Sequence, residues 1–471
     1  MRSYRSHMFL ERDVRPGKTA AGVMLLIALS SVAYLPFVTG GLLTDDFAHL
    51  TRQLTHPSLA TLLVTPDTFH FYRPIPQASL WLDSKVFGMN PTAFRLTNFV
   101  LHVGVVLCTF VLGHKILGRS RAAFLASLAF ALTPKAHPIA VLWISARPEL
   151  LMSLFSLLAI ISWHEWQRAN RARWFVAAWV FYAMALLSKE TAVLLPILFL
   201  FTPSRSRFTA RQWKGFFVMT VTAAAIFAIR GYVGAFMPTT LDPHYGLMRP
   251  AARWARNLEN YLPRSVPSPL GMLVLVALPI AFVGRRDWQL IQWKERQLSG
   301  QVIYAIVWFM VFMLPVLPIV ARSELYLYLP GFGLCLLAAS LVDAVLAVTS
   351  VQTGVAAIAL FSAVFGAYQI SRTRGMHDDL IFSAKLLSGL RQSLEDYNGA
   401  VVVVPDDPIT SEFLSATAGG YADLVLKMAT GRYEVNGSID YNHDTKPSDA
   451  LRLDGKYQNG RLFLTRSSPA K

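Results

Sequence analysis

The sequence predicts an all-α polytopic membrane protein of about 11 transmembrane helices with a small C-terminal α/β domain on the outer face. Three observations predict this fold class. Of the 471 residues, 54% are hydrophobic and only 15% are charged, and the mean hydropathy is +0.41. Apolar runs of ~20 residues, the length that spans a bilayer, recur along the chain. Lys and Arg cluster in short connections on alternate sides of these runs, which is the positive-inside pattern.

The spans can be placed from the hydropathy pattern. The first apolar run, from Thr19 to Thr44, carries no charge and is followed by further spans. We therefore interpret it as a retained helix rather than a signal peptide. The eleven predicted spans lie near residues 19–40, 92–115, 121–135, 148–164, 173–188, 190–203, 213–231, 265–284, 301–319, 327–347 and 351–370.

The basic residues predict the orientation of the helices. They are concentrated before the first span and in the connections near residues 115–121, 168–173, 205–214 and 285–296, so these sides are cytoplasmic. An odd number of spans then puts the C-terminus on the outer side. Because the net charge of +16 is distributed in this way, we expect a membrane partner and no nucleic acid.

The chain divides into two predicted units. Residues 1–370 form a transmembrane module with long outer loops at 41–91 and 232–264. Residues 371–471 form a small soluble periplasmic α/β domain. In that domain the sequence predicts a helix over 378–396, a strand over 400–404 and a strand pair over 450–466.

Polar residues recur at the predicted outer ends of the helices. A charged side chain at the centre of a spanning helix costs ~2.5–3.5 kcal/mol on insertion scales, so such groups gather where a cavity or water receives them. We therefore expect one polar cavity just under the outer surface. Its predicted residues are Asp45, Asp46, Tyr72, Arg73, His137, Arg147, Glu149, Lys189, Glu190, Arg322, Glu324 and Tyr328.

These residues also have structural explanations. Interface charges can snorkel, aspartates can cap a helix, and an Arg near a Glu can form a structural ion pair. The recurrence favours a common site, because five separate outer ends each carry a charged group beside proline or an aromatic residue. The structural explanations stay open for Arg147 with Glu149, Lys189 with Glu190, Asp45 with Asp46, and Arg322 with Glu324.

A basic cavity with carboxylates at the outer face suits group transfer from a lipid-linked phosphate donor. A carboxylate can act as general base on the acceptor, and Arg or Lys can stabilise the charge that builds on the leaving phosphate. The polyprenyl chain of such a donor can lie in lipid while its head group reaches the cavity. Adjacent carboxylates can bind Mg²⁺ or Mn²⁺, but no His or third acid stands at a fixed spacing, so we expect no metal cofactor.

The chain resembles the GT-C membrane glycosyltransferases, which use polyprenyl-phosphate sugars. An acidic pair in the first outer loop is typical of that class, and "TDDF" matches it. Within the class the chain is most similar to the protein O-mannosyltransferase-like branch, especially the tetratricopeptide-bearing transmembrane enzymes, but it lacks their repeats. The similar segments are "DDF" at 45–47, "YRPI" at 72–75, "HPIAVLWISARPELL" at 137–151, "SKE" at 188–190 with Pro196, and "SELYLYLP" at 323–330.

The resemblance implies roles for particular residues. It implies that Asp45, Asp46 or both supply the catalytic carboxylate. It also implies that the donor phosphate is bound by basic residues of the outer loops, of which Arg147, Lys189 and Arg322 are the best candidates. The transfer would invert the anomeric centre in a single displacement.

We therefore expect an inverting glycosyltransferase that moves a hexosyl or pentosyl group from a polyprenyl-phosphate donor to a glycan, lipid or protein acceptor. The compact chain and short loops are typical of a bacterial inner-membrane enzyme, for which the carrier would be undecaprenyl phosphate. Two other functions stay open. A ligase or polymerase of lipid-linked oligosaccharides would not need the early acidic pair. A transporter or flippase of lipid-linked glycans would place ionisable groups near the bilayer midplane.

Overall fold

The computed structural model describes residues 16–55, 58–201, 209–236, 252–265, 295–346, 351–397, 399–432, 436–441 and 450–467. Most of these residues are helical. The helices are α1 Pro16–Tyr34, α2 Asp45–Thr55, α3 Leu59–Val64, α4 Pro74–Phe87, α5 Pro91–Leu117, α6 Ser120–Ala131, α7 Ala136–Leu142, α8 Arg147–Ala169, α9 Ala172–Ser188, α10 Leu195–Phe201, α11 Ala210–Tyr232, α12 Ala252–Ser265, α13 Glu295–Met313, α14 Pro330–Leu346, α15 Val351–Ser393, α16 Pro408–Ala418 and α17 Ala422–Thr430. Short 3-10 turns cover Leu35–Phe37, Ile144–Ala146, Glu190–Leu194 and Glu324–Leu327.

Several of these helices can cross a membrane, so the chain is an integral membrane protein. Among the described residues, five helical segments are long and apolar enough: Thr19–Phe37, Pro91–Leu117, Ile144–Ala169, Ala210–Tyr232 and Gln352–Ser393. Four shorter apolar segments accompany them, Ala172–Ser188, Glu190–Phe201, Gly300–Met313 and Pro330–Asp343. The exact count of eleven spans stays a prediction, and the predicted span at 265–284 lies almost wholly outside the described residues.

One sequence prediction about the apolar helices differs from the structure. The predicted span at 121–135 covers α6 and the break that follows it, and the apolar segment continues beyond the break as α7, at a bend of 68°. Pro134 lies in that break and lacks the N–H that a continuous helix would need there. The predicted outer loop at 41–91 contains three helices, α2 to α4, and α4 begins at Pro74, a favoured first position.

The apolar helices pack around one large core. Neighbouring pairs include α5 with α6, α8 with α9, and α13 with α14. Trp163 and Trp308 are fully buried in this core. Gly333 lets α14 approach α13 closely, because a Cβ at that position would lie 2.6 Å from the carbonyl oxygen of Ala305.

The C-terminal region contains a four-stranded sheet. The strands are β1 Val401–Pro405, β2 Gly437–Ile439, β3 Leu451–Gln458 and β4 Arg461–Ser467, in the order β2-β1-β3-β4. β1 runs parallel to β2 and β3, and β3 pairs with β4 in antiparallel register. The predicted strand at 400–404 and the predicted strand pair at 450–466 are therefore confirmed. The wholly buried run of valines in β1 is typical of a central parallel strand.

A long helix joins this sheet to the apolar helices. Helix α15 has 43 residues and passes straight through position 370, where we divided the chain. Its C-terminal part, which includes most of the predicted 378–396 helix, presents Phe382, Leu386 and Leu390 at four-residue spacing to the sheet core, and Leu394 follows directly after the helix. The separate status and outer-face position of the C-terminal domain stay predictions.

The core between α15 and the sheet also includes residues of the first predicted outer loop. Leu42, Phe47 and Leu50, from the entry and first turns of α2, belong to the cluster that contains Phe382 and Val401. Burial of an aliphatic or aromatic side chain of this kind contributes ~1.5–3 kcal/mol. The C-terminal region is therefore packed directly against the segment that carries Asp45 and Asp46.

Candidate functional site

A cavity lined by described residues has a volume of about 580 Å³ and opens beside the start of α2. Six chain segments contribute to it: the start of α2, the turn before α4, the start of α8, the end of α9, the segment before α14 and the turn between α16 and α17. Its lining residues are Thr44, Asp45, His49, Phe69, Phe71, Arg73, Trp143, Ser145, Ala146, Pro148, Glu149, Lys189, Ala321, Ser323, Leu325, Tyr326, Gly419, Gly420 and Tyr421.

Asp45 lines this cavity as the first residue of α2. Its Oδ1 accepts a hydrogen bond of 2.7 Å from the Tyr421 hydroxyl. The preceding residue, Thr44, has a φ of +40°, which residues other than glycine rarely adopt. The Thr44 N–H donates to the Thr417 carbonyl at 2.7 Å. The C-terminal region therefore contacts both the strained turn and the carboxylate that follows it.

Asp46 has a different environment, although it is the next residue. It is fully buried, behind the cavity wall. Its Oδ1 accepts from the backbone N–H and hydroxyl of Ser145 at 2.8 and 2.6 Å, and its Oδ2 accepts from the Leu43 N–H at 3.2 Å. Burial raises the pKa of Asp46, and these hydrogen bonds and the charge of Arg95 offset only part of that effect. Asp46 thus joins α2 to the start of α8, and the expectation that both aspartates face the cavity is wrong.

A fully buried arginine holds the chain that leads into α2. Arg95 donates to the carbonyl oxygens of Leu142 at 2.9 Å, Val38 at 3.3 Å and Gly40 at 3.2 Å, and also to that of Gly41. Gly41 is needed there, because a Cβ would lie 2.5 Å from the Ser383 Oγ on α15. We did not single out Arg95 from the sequence, although a lone arginine in an apolar run is a signal that could have found it.

Two cations line the cavity, and each is paired with a carboxylate. Lys189 Nζ forms an ion pair with Glu149 and lies 4.9 Å from the centre of the Tyr326 ring. The Arg73 guanidinium lies 3.8 Å from the centre of the Phe71 ring. It makes a two-point contact with Glu190, through Nη2 at 2.6 Å and Nε at 3.1 Å. Lys189, Arg73 and Glu149 are therefore brought together, as the sequence predicted.

Glu190 supports the cavity from behind Arg73. Besides Arg73, it accepts from Arg230 Nη1 at 3.3 Å. Tyr72 is half-buried and lies between two lining residues, Phe71 and Arg73. These two predicted residues lie next to the cavity wall.

The expectation that Arg147 binds the donor phosphate conflicts with its position. Its guanidinium is fully buried and is surrounded by partners. It forms an ion pair with Asp83 at 2.8 Å and donates to the Ser79 hydroxyl at 2.7 Å and the Phe94 carbonyl at 2.8 Å. It also donates to the Asn98 side-chain oxygen. Arg147 therefore ties α8 to α4 and α5, and it has no exposed surface with which to meet a ligand.

Arg322 and Glu324 lie beside the cavity and have separate partners. Arg322 is exposed, and its Nε donates to the Asn257 side-chain oxygen at 2.8 Å, although its neighbours Ala321 and Ser323 line the cavity. Glu324 pairs with Arg372 at 3.2 Å. Neither Arg322 nor Glu324 is among the described residues that line the cavity.

His137 and Tyr328 are in the apolar core. Both are fully buried, and their rings lie 4.6 Å apart. The Tyr328 hydroxyl lies 2.7 Å from Nδ1 of His102. The expectation that these two residues face the cavity is therefore wrong, because their rings pack against each other and against the Phe130 ring.

Some lining residues were missed by the sequence reasoning. His49 and Phe69 were overlooked because nothing in their spacing marks them. Tyr421 lies 376 residues from Asp45 along the chain, so only the tertiary fold brings the two together. As for metals, the described residues contain no group of three or more His, Cys, Asp or Glu side chains that could hold an ion. Metal independence stays a prediction.

A protein of known structure shares this fold. A crystal structure of ArnT from Cupriavidus metallidurans bound to undecaprenyl phosphate superposes with a TM-score of 0.51. The superposition covers 94% of this chain and 94% of that chain, at 14% sequence identity. This likeness concerns the fold alone, because the identity is low.

Sequence comparison finds similarity to protein mannosyltransferases over part of the chain. The family model for dolichyl-phosphate-mannose-protein mannosyltransferases matches residues 73–232. Human protein O-mannosyl-transferase TMTC2 is 32% identical over 138 residues, which are 28% of this chain and 16% of that protein. A protein O-mannosyl-transferase of Caenorhabditis elegans, F38B6.6, is 27% identical over 154 residues, which are 30% of this chain and 22% of that protein. The resemblance found in the sequence is thus confirmed, and it spans about a fifth of these relatives' length.

Proposed function

We propose that the protein is an inverting glycosyltransferase that moves a sugar from a polyprenyl-phosphate donor to an acceptor hydroxyl on the outer face of the membrane. One observation supports this most strongly: the Asp45 carboxylate and two cations, Lys189 and Arg73, line a single cavity. Such a cavity offers a base for the acceptor and positive charge for the departing phosphate. The family match over residues 73–232 supports the same chemistry.

Asp45 is the proposed general base. The oxygen of the acceptor hydroxyl forms a bond to the anomeric carbon of the donor sugar. As this bond forms, the hydroxyl gives its proton to the Asp45 carboxylate. The bond between that carbon and the phosphate oxygen breaks, and its electron pair leaves with the phosphate. Attack from the face opposite the leaving group inverts the anomeric centre. We choose Asp45 over Asp46 because it lines the cavity, whereas the oxygens of buried Asp46 accept from Ser145 and Leu43.

Lys189 and Arg73 are the proposed phosphate ligands, in place of Arg147 and Arg322. An ammonium group has three donors, so Lys189 can keep Glu149 and still donate to a phosphate oxygen. A guanidinium has five N–H donors, and two of those in Arg73 are directed to Glu190. The carboxylate partners hold both cations in place before the donor arrives, which lowers the cost of organising the site.

The finer assignments belong to the same proposal. We take the carrier to be undecaprenyl phosphate, the lipid bound in the ArnT structure that shares this fold. The acceptor is a glycan, lipid or protein, the membrane is the bacterial inner membrane, and the cavity faces the periplasm. No metal takes part in the transfer.

Activity can be tested with purified protein and a panel of polyprenyl-phosphate sugars. We expect acceptor-dependent release of free polyprenyl phosphate from one member of the panel. A matched carboxylate control is Asp423→Asn, which removes an ion pair with Lys427 in α17 and keeps an oxygen that can accept from the Gly437 N–H, so it should leave the rate unchanged. Movement of intact lipid-linked sugar across the membrane without release of polyprenyl phosphate would contradict the proposal and favour a transporter.

The orientation needs its own test. Ser438 lies in β2 and is exposed, so a cysteine at this position should react with an impermeant thiol reagent added from the periplasmic side. Reaction only after the membrane is breached would contradict the outer-face assignment.

A further inference from the structure

The turn between α16 and α17 forms one wall of the cavity. It consists of Gly419, Gly420 and Tyr421, all of which line the cavity. Gly419 has a φ of +52°, a conformation that suits glycine, and the Tyr421 N–H donates to the Ala418 carbonyl at 2.9 Å. The turn is therefore ordered by its own backbone, and it directs the Tyr421 side chain toward the start of α2.

Two hydrogen bonds join the turn and the end of α16 to the start of α2. The Tyr421 hydroxyl donates to Asp45 Oδ1 at 2.7 Å, and the Thr44 N–H donates to the Thr417 carbonyl at 2.7 Å. The Tyr421 ring meets Phe69 edge-on, with the ring centroids 6.3 Å apart. The ring is thus held by packing, and its hydroxyl reaches the carboxylate from a fixed direction.

We propose that Tyr421 is a positioning residue that orients the Asp45 carboxylate for proton abstraction. This proposal rests on the proposed function. A hydrogen bond to a carboxylate is short and strong when the acceptor is charged, and it restricts rotation of the carboxyl group. A base held close to the productive geometry avoids the cost of being ordered during the reaction. The C-terminal region is therefore a part of the active site, and the site is incomplete without it.

The two residues of this hydrogen bond, Asp45 and Tyr421, are far apart along the chain. Asp45 lies before the apolar helices that carry Glu149 and Lys189, and Tyr421 lies after all of them. The shared core of Phe47, Phe382 and Val401 holds the two ends of the chain together. The Tyr421 hydroxyl therefore reaches Asp45 only when the sheet region is packed against α2.

The test is a double-mutant cycle with Tyr421→Phe and Asp45→Asn. Tyr421→Phe keeps the ring that packs on Phe69 and removes only the hydroxyl. We expect kcat to fall about tenfold, the size of a lost hydrogen bond to a charged group, with the KM values for donor and acceptor changed less than about twofold. In the Asp45→Asn background the same change should have almost no further effect, because the group that Tyr421 orients is no longer a base.

Tyr441→Phe is a matched control in the same region. The Tyr441 hydroxyl is buried, and it has no hydrogen-bond partner among the described residues. Its removal should leave kcat unchanged. A tenfold loss that persists in full in the Asp45→Asn background, or a wild-type kcat for Tyr421→Phe, would overturn the positioning role. If Asp45→Asn alone turns over at the wild-type rate, the proposed function fails first, so the two failures are distinguishable.

Discussion

The cavity wall and the polar layer behind it contain similar types of charged residue. Those in the wall face the cavity, whereas those in the layer are enclosed by protein. The cavity wall is defined here by Asp45, Arg73 and Lys189, which have surface facing the cavity. The buried polar layer is defined by Asp46, Asp83, Arg95, Asn98 and Arg147, which are buried and are not among the described residues that line the cavity. In the layer, the charged and polar side chains form their hydrogen bonds and ion pairs with other protein groups. In the wall, the charged groups keep a face toward a space large enough for a ligand.

The difference shows how a charge in an apolar chain should be interpreted. A buried ion pair holds elements together, and the loss of one partner leaves an uncompensated charge. A charge at a cavity can act on a substrate because it is held in place and still accessible. Adjacent residues can fall on opposite sides of this division, as Asp45 and Asp46 do. The predictions below depend on it.

The largest expected effect is on Asp45. Because general-base catalysis is worth ~10²–10⁴-fold, Asp45→Asn should lower kcat by that order. Folded yield and donor affinity should match the wild type, since the base acts on the acceptor. The same substitution at Asp46 should instead reduce folded yield, because an amide cannot accept all three hydrogen bonds that the carboxylate accepts. Steady-state transfer, donor binding and thermal unfolding of both variants would measure the contrast, and equal behaviour of the two would break it.

The next largest effect is expected at the Glu149–Lys189 pair. The double variant Glu149→Gln/Lys189→Gln removes the cation without leaving a buried carboxylate uncompensated. Loss of one group that stabilises developing charge costs ~10²–10³-fold, so kcat should fall by that order. Lys115→Gln/Glu165→Gln is a matched control, because it removes another Lys–Glu ion pair away from the cavity. Similar kcat losses in both double variants would mean that the effect is structural.

A smaller effect on catalysis, with a large effect on stability, is expected at Arg147. Arg147→Ala leaves Asp83 buried without its cation, and breaking such a pair costs ~3–5 kcal/mol of unfolding free energy. The folded fraction should keep its donor affinity. Thermal unfolding in detergent, with donor binding normalised to folded protein, separates the two effects. A fully folded variant that has lost donor binding would return Arg147 to the phosphate site.

The smallest effect is expected at Arg322. Its side chain is exposed and makes a hydrogen bond to Asn257, so Arg322→Ala should change the unfolding free energy by less than ~0.5 kcal/mol. Donor affinity should stay within about twofold of the wild type, since a surface group of this kind makes a small contribution. A large loss of donor affinity would mean that Arg322 turns into the cavity when the donor binds.

The sequence predicted the wall better than the layer. Asp45, Glu149 and Lys189 stand out because a charged side chain beside an apolar run needs a polar environment. That rule cannot say whether the environment is a cavity or a set of protein partners. The resemblance assigns Arg147 to the phosphate, and this rule gives no reason to reject the assignment, since the partner Asp83 lies in a predicted outer loop where an acidic residue is unremarkable. Tyr421 could not be predicted, because its contact with Asp45 depends on how α15 carries the sheet region back to α2.

The fold was predictable in outline for similar physical reasons. Hydropathy identifies apolar helices, and alternation with turn residues identified the β3–β4 pair. Hydropathy is blind to a break such as the one between α6 and α7, because the residues on both sides are equally apolar. It also gave no sign that α15 continues past residue 370, since a helix that leaves the apolar region becomes amphipathic without a change in its backbone.

The most direct test of the central claim is chemical rescue of Asp45→Ala. This variant removes the base and leaves space at the cavity wall that a small carboxylate can enter. We predict that its turnover is ~10²–10⁴-fold below the wild type and rises with added formate, whereas Asp46→Ala gains nothing. Turnover near the wild-type rate without formate, or equal rescue of the two variants, would contradict the assignment of Asp45 as the base.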